Sequence, residues 1–129
     1  MILFDIPATE KTPRISFDTE SRIFSMDGNS RPEDVREFYM PVIEKMDAYF
    51  SSESPSEVPY FFSFKLGYFN SSSAKFISDI LLGISDYIDK GFNIKIRWFF
   101  EEGDEDMREA GRDFSEMIKI DFEFIVHKF

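Results

Sequence analysis

Four polar residues in a row, Asn70-Ser71-Ser72-Ser73, form the first stretch of this 129-residue chain whose side chains could do chemistry. They stand between a run that alternates like a strand and a run with helical periodicity, and in open α/β sheets sites gather at the carboxyl ends of strands. Asn and Ser are also preferred helix N-caps. Capping needs only one such residue, which leaves the others open to a second use. A hydroxyl at a helix start tolerates a phosphate well, because free N–H groups and the positive end of the helix dipole offset the added charge. A second stretch, Glu101-Glu102-Gly103-Asp104-Glu105-Asp106, carries oxygen ligands of the kind magnesium or calcium takes. Its order does not follow the EF-hand pattern, and acidic residues at a helix start are favoured by the dipole anyway. Asp104, Glu105 and Asp106 are therefore expected to serve as cap and solvated face, without a bound metal. Lys65, Lys95 and Arg97 fall on one sheet face by alternation, where they either hold an anion or are simply solvated. His127 is the one histidine, so a histidine metal site or a Ser/His/Asp triad would rest on it alone; the plainer reading is a surface residue on the last strand. With no nucleophile–base pair, metal-ligand spacing or phosphate-cradling glycine loop, no catalytic residue and no cofactor is expected.

Composition narrows the classes further. The length suits one domain spanning 1–129, and 17 Phe supply ample bulk for its core. Fifteen basic and 25 acidic residues leave a net charge of −10, which repels phosphate backbones and anionic lipids. Nucleic acid and membrane are thus unfavoured partners, and a basic patch on another protein is the favoured one. Cysteine is absent, which removes disulfides, thiolate nucleophiles and Cys-ligated metals and fits a reducing cytoplasm. No apolar run approaches the roughly 18 residues of a membrane span. The start, MILFDIPATEKTPRI, lacks the basic beginning and long apolar stretch of a signal peptide.

The elements that must position these residues can be read from period. Arg14 to Phe17 and Arg22 to Met26 alternate around a turn-like Asp18-Thr19-Glu20-Ser21, predicting a hairpin closed by Asp27-Gly28-Asn29. Ser30-Arg31-Pro32-Glu33 reads as a capping box before a helix with stripe Val35, Phe38, Tyr39, Val42, Met46 and Tyr49, kinked or split at Pro41. Pro59 to Phe69 predicts a strand with Tyr60, Phe62, Phe64, Leu66 and Tyr68 on one face. A helix with stripe Ile77, Ile80, Leu81, Ile84, Tyr87 and Ile88 follows the serine run. Next come a strand over Phe92 to Phe100, a helix over Asp104 to Ile118 and a strand over Asp121 to Val126. Strand, helix, strand with short links is a βαβ unit, hence parallel strands and a right-handed crossover. The strands alternate with Lys, Arg and Glu rather than forming continuous apolar runs, so helices should cover mainly one face. The expected fold is a two-layer α/β domain with a mixed sheet of about five strands.

Several of these stretches together resemble a known family. The segment Tyr68-Phe69-Asn70-Ser71-Ser72-Ser73-Ala74-Lys75 is similar to the signature of the SiaC family of regulatory phosphoproteins, a bacterial group with a fold like the STAS domains of anti-sigma-factor antagonists. Gly28-Asn29-Ser30-Arg31-Pro32-Glu33 with Phe38-Tyr39-Met40-Pro41 agrees. So does Arg97-Trp98-Phe99-Phe100 leading into Asp104-Glu105-Asp106-Met107 and Glu109-Ala110-Gly111. The likeness runs in order from Thr9-Glu10-Lys11-Thr12-Pro13 to Asp121-Phe122-Glu123.

The resemblance implies a non-enzymatic, cytoplasmic partner switch. A dedicated serine/threonine kinase phosphorylates a hydroxyl just after the signature Asn, and a metal-dependent serine phosphatase reverses it. The unmodified form binds and activates a diguanylate cyclase, raising cyclic di-GMP and favouring aggregation or biofilm. By position the acceptor is Ser71, where the family usually has Thr, with Ser72 and Ser73 as secondary candidates. The partner-binding residues implied are Tyr68, Asn70, Ser71, Ser72 and Lys75. Two rival readings stand beside it: a constitutive interaction module whose serine run is only a cap, and a small carboxylate enzyme holding a cation near Asp104.

Overall fold

The alternating runs pair into one six-stranded sheet, and the periodic stretches become helices laid on one of its faces. The computed structural model describes residues 1–128. In chain order the elements are β1 (Ile2–Ile6), β2 (Arg14–Asp18), β3 (Ile23–Ser30), α1 (Val35–Ser52), β4 (Tyr60–Phe69), α2 (Ser71–Asp89), β5 (Ile94–Glu101), α3 (Glu105–Ile118) and β6 (Glu123–His127). The strands lie side by side in chain order. β1, β2 and β3 pair antiparallel, whereas β3, β4, β5 and β6 pair parallel. Each parallel step carries one helix, as a parallel crossover requires.

Burial follows the predicted alternation. Ile15, Phe17, Phe24, Met26, Phe62, Phe64, Ile96 and Trp98 are buried. Their neighbours Arg14, Ser16, Ser25, Asp27, Ser63, Lys65, Lys95 and Arg97 are exposed or half-buried. The helices meet the buried side with Tyr39, Met46 and Phe50 of α1, Ile77, Ile80 and Ile84 of α2, and Met107 and Gly111 of α3. Two layers thus enclose a core rich in rings, where Phe24 stacks on Phe62 at 4.9 Å and Phe50 on Tyr87 at 4.3 Å. Full burial of each such side chain contributes about 1.5–3 kcal/mol.

Before the site is reached, the structure departs from the sequence reading at β1, at the end of β3 and at Pro41. A sixth strand, β1, forms from Ile2-Leu3-Phe4-Asp5-Ile6, which has little alternation of its own and takes its place by pairing with β2. β3 does not close at Asp27-Gly28-Asn29; it runs on to Ser30, with Gly28 at φ 132°. The first helix therefore has no capping box at Ser30. Its N-cap is Asp34, whose carboxylate accepts the Glu37 N–H at 3.0 Å. Pro41 does not split α1, which is continuous from Val35 to Ser52. Pro41 and Glu37 both face solvent, so water can satisfy the carbonyl that lacks a helical donor.

Candidate functional site at the start of the second helix

One glycine sets the direction of the side chains entering the site. The pairing of β3 with β4 shifts from Gly28–Leu66 to Asn29–Tyr68, leaving Gly67 as an extra residue, a β-bulge. A Cβ on Gly67 would stand 2.8 Å from Asn29 Oδ1, so the close approach is open only to glycine unless Asn29 moves. The bulge inverts the alternation beyond it. Phe69 turns inward against Phe114 of α3, with ring centroids 6.0 Å apart, and Tyr68 turns outward, 51% exposed. Tyr68 therefore does not share the buried face of Tyr60, Phe62, Phe64 and Leu66, contrary to the simple period.

The four polar residues then divide into three roles. Asn70 is the N-cap of α2: its Oδ1 accepts the Ser73 N–H at 2.9 Å, and its own N–H donates to the Ser30 carbonyl at 3.0 Å. Ser71 and Ser72 open the helix with exposed side chains, and within the described residues their hydroxyls make no hydrogen bond. Ser73 is fully buried. Its hydroxyl donates to the Ser30 carbonyl at 3.1 Å and accepts from Ser30 Oγ at 2.8 Å. Ser30 Oγ also meets Tyr39 Oη at 2.5 Å. Because the single Ser30 hydroxyl proton goes to Ser73, Tyr39 must be the donor in that contact. The chain of donors runs from Tyr39 through Ser30 to Ser73 and back to the Ser30 backbone.

This network joins the end of β3, the second turn of α1 and the first turn of α2. Tyr39 also stacks on Phe76 at 5.9 Å, and burial holds its phenol above the ordinary tyrosine pKa. A buried, fully satisfied network rigidifies what it joins. The exposed Ser71 and Ser72 thus sit on a fixed platform, and Ser73 is part of that platform. Of the secondary acceptor candidates, Ser72 is exposed, whereas the oxygen of Ser73 is closed to solvent and already bonded. Sequence reasoning missed Ser30 and Tyr39 as a pair; the available signal was a tyrosine within an apolar stripe, whose hydroxyl must find a partner when buried.

The surroundings are mixed in charge. Lys75, four residues after Ser71 and on the same helix face, pairs with Asp79 at 3.2 Å and lies 5.0 Å from the Phe76 ring. Gly67, Tyr68 and Phe69 share a cavity of about 380 Å³ with Asp104, Asp106 and Met107 of α3. Asp104 caps that helix, accepting the Met107 N–H at 3.1 Å, and Glu105 pairs with Arg108 at 3.4 Å. Among the described residues, no three carboxylate or imidazole groups are placed to hold a metal ion. On the open sheet face, Arg97 pairs with Glu123 at 3.4 Å and lies 4.1 Å over the Phe61 ring, while Lys65 and Lys95 are exposed. His127 ends β6 and borders a cavity at the carboxyl ends of the strands with Lys65, Asp27 and Glu101. No helix of the described residues is long and apolar enough to cross a membrane.

Comparisons with known proteins place this geometry. The family model described as SiaC family regulatory phosphoprotein matches residues 6–127. An uncharacterized protein of Pseudomonas aeruginosa strain UCBPP-PA14, PA14_02130, is 29% identical over 122 residues, covering 95% of this chain and 94% of its own. Among solved structures, SiaC of Pseudomonas aeruginosa superposes with a TM-score of 0.82 at 27% identity, covering 98% of each chain. Another, described as diguanylate cyclase SiaD in complex with its activator SiaC from the same organism, gives a TM-score of 0.83 at 28% identity, over 98% of this chain and 99% of that one. The six-stranded sheet and the three helices match the fold of these solved structures, and the chain belongs to the SiaC family of regulatory phosphoproteins.

Proposed function

We propose that residues 1–129 work as one non-enzymatic, cytoplasmic partner switch set by phosphate on Ser71. A serine/threonine kinase adds the phosphate and a metal-dependent serine phosphatase removes it. The unmodified form binds and activates a diguanylate cyclase or comparable effector, feeding aggregation or biofilm signalling. Tyr68, Asn70, Ser71, Ser72 and Lys75 form the surface that the partner reads. Support for a cyclase comes from the Pseudomonas aeruginosa relative, which is described as the activator of one.

The observation that carries the reading is the division of labour at the helix start. Asn70 does the capping and Ser73 the anchoring, so Ser71 is exposed and free of structural duty. Phosphate there adds about −1.5 to −2 charges. The helix dipole favours that charge by about 0.3–1 kcal/mol, and Lys75 can turn from Asp79 toward it. The fold accepts the modification; a partner packed over Tyr68 and Ser71 must desolvate it. Each ~1.4 kcal/mol of that cost weakens binding tenfold.

The test is to incubate the chain with magnesium, ATP and a serine/threonine kinase of its own bacterium, and to map the product by mass spectrometry. Phosphate is expected on Ser71. Unmodified chain and Ser71→Ala should both raise cyclic di-GMP production by the effector cyclase, and the phosphorylated chain should not. Phosphate confined to other residues, or full activation by chain phosphorylated on Ser71, overturns the proposal.

A further inference from the structure

The helix layer holds a second recessed surface that the switch does not use. A groove of about 240 Å³ lies between α1 and α2, between two and four turns along α2 from Ser71. Its floor is apolar, built from Ile43 and Met46 of α1 with Ile80 of α2, and Leu82 stands on its lip, 45% exposed. Its other lining residues include three carboxylates, Asp47, Asp79 and Asp86, and no lysine or arginine. Gly83 leaves a gap in the α2 wall: a Cβ there would meet the Tyr87 hydroxyl at 3.6 Å and ring carbon at 3.8 Å, ordinary contacts, and nothing closer.

We propose that this groove docks a basic amphipathic helix of a partner protein. Apolar side chains on one face of that helix would lie on Met46 and Ile80, the position nearest Gly83 entering the gap, while flanking Lys or Arg meet the acidic rim. Charge selects the occupant. A second copy would set the same three carboxylates against themselves, and an anionic lipid surface would be repelled. Backbone selects a helix. The groove has no strand edge to pair with an extended segment, whereas a helix satisfies its own N–H and C=O groups. Asp79 already pairs with Lys75, and Asp47 accepts the hydroxyl of Tyr87. Asp86 makes no ion pair within the described residues and is the rim charge most available to a partner.

Two synthetic peptides of about four helical turns test this against isotope-labelled full chain by NMR titration. One has Leu on a single face and Lys elsewhere; the other replaces every Lys with Glu. The Lys peptide is expected to move the amide signals around Met46 and Gly83 saturably, and the Glu peptide to leave them unmoved. Gly83→Leu, which fills the gap, should weaken binding by about tenfold or more (about 1.4 kcal/mol). Asp86→Asn, which changes charge but not shape, should weaken it severalfold and flatten its salt dependence. Folding of both variants is checked from their own spectra. Ser71 is unchanged in all of these proteins, so the result bears on the groove alone. The proposal is overturned by equal response to both peptides, by shifts centred on other helix faces, or by unchanged affinity in both variants. It is also overturned by self-association in sedimentation that Gly83→Leu abolishes, which would give the groove to a second copy.

Discussion

Alanine in place of either of two helical glycines tests how the helix layer meets the sheet, because the two substitutions should differ in sign. In α3, a Cβ on Gly111 would stand 2.4 Å from Trp98 Cδ1 and 2.5 Å from its Nε1. Trp98 is fully buried and cannot retreat, with Phe64, Phe114 and Phe122 around it at 5.8, 5.6 and 6.1 Å. Its Nε1–H donates to the Met107 carbonyl at 3.0 Å, a bond that any shift of the indole would break. Overpacking costs about 1–3 kcal/mol and an orphaned buried donor about 1–3 more, while better helix propensity returns about 1. Gly111→Ala is therefore expected to destabilise by roughly 1–5 kcal/mol, centred near 3. In α2, the same change at Gly83 brings only ordinary contacts with Tyr87, so propensity alone acts and stabilises by about 0.5–1 kcal/mol. Trp98 is the one tryptophan, so urea unfolding followed by its emission reads both variants. A Gly111→Ala chain as stable as the parent would refute this packing of α3 on β5.

Other consequences can be checked with the same assay or simple titrations. Asn70→Ala should cost about 1 kcal/mol through the lost cap, whereas Ser71→Ala should change stability by less than about 0.5. The reverse order would move the cap to Ser71 and remove its freedom. Ser73→Ala should cost about 1–3 kcal/mol, because the buried Ser30 hydroxyl loses its acceptor, and Ser72→Ala should be near neutral. Burial raises the pKa of Tyr39 and, with Tyr60 and Asp47 respectively, those of Tyr49 and Tyr87. The unfolded chain ionises these phenols first, near the ordinary 10.0, so their contribution is whole below that pH and is lost as pH rises above it. Absorbance titration of the folded chain should show Tyr39, Tyr49 and Tyr87 ionising late, and urea midpoints should fall beyond pH 10.

Much of the fold was legible because period is a local property. The alternation from Tyr60 to Leu66 placed a central strand with the correct face, and the stripe residues Tyr39, Val42 and Met46 of α1 and Ile77, Ile80, Leu81, Ile84 and Tyr87 of α2 are buried. The turn from strand to helix at Asn70 was equally visible, as was Asp104 as the cap of α3. β1 was not, since its near-continuous apolar run has no period and depends on β2 to become an edge strand. Nor was the role of Ser30, where a capping-box pattern coincided with the end of a strand.

Sequence alone therefore determined the layers, the parallel crossover from β4 through α2 to β5 and the polar segment at the head of α2, all of which follow from side-chain spacing within a few residues. Only tertiary structure decided which of the four polar residues caps, which anchors and which remain exposed. That choice depends on Ser30 and Ser73, 43 residues apart, meeting over Tyr39. It also depends on the Gly67 bulge, which exists only because β4 has one residue more than the facing stretch of β3 and which turns Tyr68 outward. A bulge and a buried hydrogen-bond network are relations between distant segments, and no local period encodes them.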